Sequence, residues 1–446
     1  MGRESRTLQQ IDLLIEAAHV VPVAPKGVVL RDHAVAVHEG KIVALLPTAD
    51  AEARYVARET VRLPQHALLP GFVNAHVHNP MTLMRGLADD LPLMTWLKEH
   101  IWPAEARVLG PDFVRDGIEL AIAEMIRGGT TTCSENYFFP DVAAATYRRL
   151  GFRALVGLPL IEFPSAWAGS RDEYFDKALA VHDDYKRDAL VGTCFAPHAP
   201  YTVADASFER VRMLADQLDI RVHLHTHETA QEVEDSKKEH GLRPLARLQK
   251  LGLVNSSLIA VHMTQLSDAE IELCAREGVG VVHCPESNLK LASGFCPVAK
   301  LLAAGVEVAL GTDGCASNND LDMVGEMRTA ALLAKGVAGD ASVVDAATAL
   351  HMATLGGARV LGWEECIGSI EPGKQADLAA VRLDDIESAP YFHVVAQLVY
   401  AGSRRQFSDA WIAGERKLAA HQLVDIDEAA LREKAWRWQR RIADLS

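Results

Sequence analysis

Long apolar runs are missing from this sequence. Nowhere do eighteen apolar residues follow one another, which excludes a conventional membrane-spanning helix. The opening segment MGRESRTLQQIDLLIEAAHVV likewise lacks the apolar core that follows a basic start in a secretory leader. Cysteine is present but unorganised. The seven residues, Cys133, Cys194, Cys274, Cys284, Cys296, Cys315 and Cys366, are dispersed, odd in number and free of any C-x-x-C pair. That argues against a disulfide framework and for a reducing compartment, so a cytoplasmic protein is expected. Positive charge is in deficit: 45 Lys and Arg face 60 Asp and Glu, a formal net charge of −15. Neither a nucleic-acid backbone nor an anionic membrane is expected as the main partner.

What remains is an ordinary globular composition, 49% apolar and 24% charged over 446 residues. That length suits a barrel of roughly 250–300 residues with a smaller accessory unit. The first stretch alternates short β-rich runs with turns, as in DLLIEAAHVVPV and GVVLRDHAVAVHEGKIVALLP. The same texture returns in QADLAAVRL and QFSDAWIAGERKL, which predicts one small β-sandwich-like domain built from both termini (1–68 plus 369–446). DEAALREKAWRWQRRIADL, acidic at its start and basic at its end, predicts a C-terminal helix within that unit.

Residues 69–368 behave differently. Apolar, β-branched runs recur between helical patterns: GFVNAHVH, TTTCSEN, RALVGLPL, LVGTCFAPHA, IRVHLHTHE, SLIAVHM, GVGVVHCP and VEVALGTDG. Eight alternations predict an α/β fold, a (β/α)8 TIM barrel. A doubly wound sheet fits less well, because no Gly-rich phosphate turn follows the first run.

Six of these eight runs end in His or Asp: His76 and His78, His198, His225, His262, His283 and Asp313. Strand ends of a barrel converge on one face, so these distant residues should share a cleft. His76 and His78 are two apart and would face the same side, half of a zinc or iron site; an isolated H-x-H is also an ordinary loop pair. In RVHLHTHE the spacing leaves His223, His225 and His227 all open as ligands, with Glu228 placed for acid/base work. Asp313 in GTDG, taken alone, reads first as a turn former. Together they suggest a mononuclear metal centre with a position left open for water. No lysine stands at a mid-barrel strand end, and Lys237 and Lys238 belong to a helical charge run. Trp96, Trp102 and Trp167 could line a purine pocket, but large aromatics more often serve packing. Cys133, Cys284 and Cys315 read as small buried apolar residues. Ser287 and Asn288 in PESNLK receive no chemical role.

PGFVNAHVHNPMTLMRGLADDLPLMTWLKEHIWPAE, FAPHAPYT, HLHTHET, HCPESNLKLASG and GTDGCASNNDLDM resemble the 5′-methylthioadenosine/S-adenosylhomocysteine deaminases of the amidohydrolase superfamily. SIEPGKQADLAAV resembles that family's return to its small β-domain. The resemblance implies zinc, with iron or another divalent metal as the alternative, on His76, His78, His225 and Asp313. It implies catalytic roles for Glu228, His262 and Asp313, and substrate contacts for Glu105, His198, Glu228 and Asp313. Relatives that handle S-adenosylhomocysteine carry an arginine near the end of the third strand, where this chain reads Val156-Gly157-Leu158; Arg153 is placed differently. The expected reaction is hydrolytic deamination of an adenosine-type nucleoside, methylthioadenosine or adenosine before S-adenosylhomocysteine. The alternatives are another amino- or chlorohydrolase acting on guanine, cytosine or a triazine and, remotely, a non-catalytic scaffold. A homo-oligomer would be in keeping with the superfamily.

Overall fold

A computed structural model describes residues 8–443; residues 1–7 and 444–446, the outer ends of the terminal unit, lie outside the described residues. Two eight-stranded sheets organise the chain. The barrel strands run β1 (Phe72–Val77), β2 (Thr130–Glu135), β3 (Arg153–Leu160), β4 (Val191–Pro197), β5 (Val222–Thr226), β6 (Leu258–His262), β7 (Gly280–His283) and β8 (Val308–Leu310). They lie side by side in sequence order, and every pair is parallel. Parallel strands covered on both faces are buried on both, and β1, β2 and β3 are buried at every position, polar residues such as Asn74 and Thr132 included. Helices return the chain between strands, among them Pro111–Arg127 and Asp268–Glu277.

Side chains close the ring between β8 and β1. The Thr312 N–H donates to Asn74 Oδ1 at 3.0 Å, Asn74 Nδ2 donates to Thr312 Oγ1 at 2.8 Å, and the Asp313 N–H donates to the His76 carbonyl at 3.0 Å. A Cβ at Gly311 would stand 2.8 Å from the His76 nitrogen, so this seam needs glycine for its close approach.

Strands from both termini form the second sheet, in the order Lys41–Pro47, Leu30–His38, Gln9–Val20, Tyr55–Pro70, Leu378–Arg382, Phe407–Ile412, Glu415–Ala419 and Gln422–Leu423. Only Gln9–Val20 and Tyr55–Pro70 pair in parallel. Alternation divides its apolar residues: Leu13, Ile15, Val35 and Val37 join Trp411 in one cluster, while Leu14, Ala34 and Ala36 join Tyr55 in another. The C-terminal helix Glu428–Ala443 packs on the barrel helix Pro111–Arg127. Trp438 meets Phe113 edge-on at 5.3 Å, and its indole donates to Asp116 at 3.0 Å. Among the described residues no helix is long and apolar enough to cross a membrane.

Candidate metal centre and active-site pocket

At the C-terminal mouth of the barrel, four side-chain atoms converge. His76 Nε2 lies 3.2 Å from His225 Nε2 and 3.4 Å from Asp313 Oδ1, and His78 Nε2 lies 3.2 Å from the same oxygen. The opposite ring nitrogens show where the protons are. His225 Nδ1 donates to the His198 carbonyl at 2.7 Å, and His78 Nδ1 donates to the Asn136 carbonyl. A carbonyl can only accept, so both Nε2 atoms present lone pairs. His76 Nδ1 meets His223 Nε2 at 2.8 Å, and His223 Nδ1 meets Ser134 Oγ at 2.9 Å; with Ser134 accepting, this relay frees His76 Nε2 in the same way.

Burial pushes His76 down to about 4 and His225 well below its ordinary range. Burial works to raise Asp313, but its contacts with the His76 and His78 rings hold it well below the usual carboxylate range. An ionised carboxylate beside converging nitrogen lone pairs requires a shared positive charge. Four donors on a tetrahedral metal at ~2.0–2.1 Å stand roughly 3.3–3.4 Å apart, close to the separations found here. The donor set, with each imidazole oriented through its far nitrogen, fits zinc.

The three alternate histidines of HLHTHE separate cleanly. His223 and His225 share the inner face of β5, but the strand ends at Thr226 and His227 adopts a left-handed φ of +55°. Its ring turns outward, where Nε2 accepts the Leu245 N–H at 3.0 Å. The same turn projects Glu228 into the cleft. Glu232 fastens it, accepting the Glu228 N–H at 2.7 Å and the His227 N–H at 3.1 Å, while Thr264 Oγ1 donates to the Glu228 carbonyl at 2.7 Å. Burial raises the Glu228 carboxyl, which favours its protonated form. His262 Nε2 lies 3.9 Å from Glu228 Oε2.

Over this centre opens a cavity of about 470 Å³, lined by His78, His198, His225, Glu228, His262 and Asp313 together with Glu105. Glu105 comes from helix Trp102–Val108, in the long excursion after β1. Burial pushes Glu105 up to about 7, against the Tyr137 hydroxyl that donates to it. His198 Nδ1 pairs with Thr202 Oγ1 at 3.0 Å, and burial pushes its ring down to about 4. The outer wall is apolar: Leu93, Trp96, Trp102, Phe138, Ile161 and Phe163. No arginine or lysine belongs to the lining among the described residues.

The remaining candidates sort by place. Trp96 and Trp102 line the cavity, whereas Trp167 packs outside it, its indole bonded to Asp141. His283 ends β7 outside the cavity lining, fully buried. Arg153 opens β3 at the far end of the barrel and pairs with Asp377 at 2.6 Å. Cys133, Cys284 and Cys315 are buried free thiols. Asn136 and Tyr137, just beyond β2, serve the centre and received no role from sequence, because that strand end carries neither His nor Asp. Their position after a barrel strand was the available signal. Ser287 and Asn288 also reach the centre: Ser287 Oγ donates to Asp313 Oδ2 at 2.7 Å, and Asn288 Oδ1 faces His262 Nδ1 at 2.9 Å.

This fold and donor set define a (β/α)8 barrel with a candidate metal centre at its mouth. The amidohydrolase family pattern matches residues 67–417, and the chain belongs to that family. It is 46% identical over 432 residues to a 5-methylthioadenosine/S-adenosylhomocysteine deaminase of Teredinibacter turnerae, covering 97% of this chain and 98% of that one. The crystal structure of an adenosine deaminase from Xanthomonas campestris with bound zinc superposes with a TM-score of 0.98 at 64% identity, covering 98% of this chain and 100% of that one. By this kinship the chain is a hydrolytic deaminase. An atrazine chlorohydrolase from Arthrobacter aurescens, complexed with zinc, has a TM-score of 0.89 at 24% identity over 96% of this chain and 100% of that one, and thus shares the fold.

Proposed function

We propose that the protein removes the 6-amino group from an adenosine-type nucleoside, with adenosine or 5′-methylthioadenosine preferred over S-adenosylhomocysteine. One observation carries the substrate reading. Besides Glu228 and Asp313 at the reaction centre, the cavity holds one further buried carboxyl group, Glu105, and among the described residues its outer wall is apolar and without a cation. Glu105 suits ribose hydroxyls; the wall suits a methylthio group or nothing, and leaves a homocysteine carboxylate without a counter-ion. Guanine or a triazine would leave Glu105 with no sugar to hold.

His76, His78, His225 and Asp313 would hold zinc. When bound, zinc acts as a Lewis acid that makes water available as a nucleophile near neutral pH. Glu228, protonated because it is buried, donates to purine N1 and makes C6 electrophilic. Asp313 takes one proton from the attacking water as its oxygen bonds to C6, and His262 orients that water. The proton on Asp313 passes to the amino nitrogen, and the C–N bond breaks to release ammonia. The second water proton returns to Glu228, leaving N1–H and C6=O. His198 reaches a ring nitrogen or sugar oxygen. The catalytic unit is residues 69–368, with 1–68 plus 369–446 as its accessory.

The test is Glu228→Gln, which keeps shape but cannot supply the acid. It should retain zinc and lose about 10²–10⁴-fold in turnover. Near-normal turnover would remove Glu228 from the chemistry.

A further inference from the structure

We infer that Ser287 and Asn288, successive residues of helix Pro285–Lys290, form a positioning clamp that sets both the orientation of Asp313 and the tautomer of His262. This rests on the function proposed above. The two catalytic groups come from different strands: His262 ends β6, and Asp313 follows β8. Between them runs β7, whose chain turns at Cys284 into this short helix. One backbone turn therefore presents consecutive side chains to both neighbours, and both are buried.

The two oxygens of Asp313 are differently employed. Oδ1 faces His76 and His78 and accepts the Gly314 N–H at 2.8 Å. Oδ2 accepts Ser287 Oγ at 2.7 Å and Ser317 Oγ at 3.0 Å. Ser317 lines the cavity, but Ser287 does not; its hydroxyl reaches Asp313 and, at 3.1 Å, Ser317 Oγ. Without the Ser287 hydroxyl, Oδ2 keeps only Ser317 Oγ, and the carboxylate is held less firmly against rotation that would take Oδ1 from the imidazoles.

Asn288 fixes the other group. Its Oδ1 can only accept, so at 2.9 Å it selects the His262 tautomer with the proton on Nδ1. Nε2, 3.9 Å from Glu228, then offers the cleft a lone pair. In this form His262 accepts a hydrogen bond from the attacking water, and so aims an oxygen lone pair at C6. The opposite amide orientation would place an N–H against Nδ1 and turn Nε2 into a donor. The identity of the atom at this one contact decides which way His262 works.

The test compares zinc-loaded wild-type enzyme with Asn288→Asp, Asn288→Ala, Ser287→Thr and Ser287→Ala. Each is measured for kcat, KM, zinc per chain, and the downfield proton resonance of His262 Nδ1–H. Asn288→Asp keeps an acceptor and should stay within a few-fold of wild type in kcat with the resonance retained. Asn288→Ala should lose about 10–100-fold in kcat and lose the resonance, with KM and zinc content unchanged. Ser287→Ala should lower zinc affinity about 10–100-fold, and Ser287→Thr should restore it. If Asn288→Asp behaves like Asn288→Ala, the amide is a donor and the tautomer is reversed. Full zinc affinity in Ser287→Ala would remove the clamp from Asp313. The function itself fails separately, if wild type turns over no nucleoside.

Discussion

Charge at single atoms decides this site. His225 Nε2 is a lone pair because Nδ1 is spent on the His198 carbonyl. His225→Ala should therefore lose both zinc and turnover, which metal analysis of the purified variant checks; full zinc occupancy would return the ligand role to a neighbouring histidine. Glu105 makes a pH prediction. Burial raises it to about 7, so above that pH it is a carboxylate that accepts ribose hydroxyls, and below it the proton competes with the sugar. KM for a ribosylated substrate should rise as pH falls below about 7, approaching tenfold per unit. Glu105→Gln should raise KM and remove that dependence; a wild-type KM flat from pH 8 to 5.5 contradicts the role. At this scale much was legible. Strand-end histidines mark themselves because an imidazole after an apolar run has no bland purpose when several strands repeat it. Tyr137 and Ser287 were not legible, since a hydroxyl acting through another side chain has no spacing of its own.

Elements explain why the ligands meet. HLHTHE alternates as a strand should, and period alone would turn His227 inward. The left-handed φ at His227 ends the strand and sends that ring out, a backbone event that no residue count predicts. His262 and Asp313 also have positive φ, +75° and +63°, so three of the strand ends bend sharply as they enter the cleft. The seam between β8 and β1 is equally exacting. Gly311→Ala would press a methyl to 2.8 Å from the His76 nitrogen. It should cost about 1–3 kcal/mol and weaken zinc binding, measured by thermal melting with and without chelator. Unchanged zinc affinity would show that the seam yields without moving His76. Where the C-terminal helix packs was not legible, for a plain reason. Its periodicity reveals an apolar face bearing Trp438, but not which neighbour that face covers, and a barrel helix with Phe113 and Asp116 is that neighbour.

For the whole molecule, the alternation of strands and helices made the barrel readable, because eight repeats admit one closed architecture. The terminal sheet was readable only as two similar textures; its pairing of residues 66–70 with 378–382 is a long-range register that composition does not encode. The buried Arg153–Asp377 pair ties the barrel floor to this sheet. Asp377 Oδ1 also accepts the Ala413 N–H at 2.7 Å. Arg153→Ala should destabilise the protein by about 3–5 kcal/mol by leaving that carboxylate unpaired, while kcat in the folded fraction stays near wild type. Chemical denaturation and kinetics on one preparation separate the two; loss of kcat without loss of stability would place Arg153 in substrate handling instead. The substrate preference proposed for the cleft at the other end rests on what surrounds Glu105, an apolar wall and, among the described residues, no cation.

The most direct measurement is the comparison of kcat/KM for adenosine, 5′-methylthioadenosine, S-adenosylhomocysteine and guanine on zinc-loaded enzyme, following released ammonia and ultraviolet absorbance. Turnover of the nucleosides with adenosine or methylthioadenosine ahead of S-adenosylhomocysteine, and none of guanine, is the predicted result. A preference for S-adenosylhomocysteine would overturn the reading of the cation-free wall, and turnover of guanine alone would contradict deamination of an adenosine-type nucleoside.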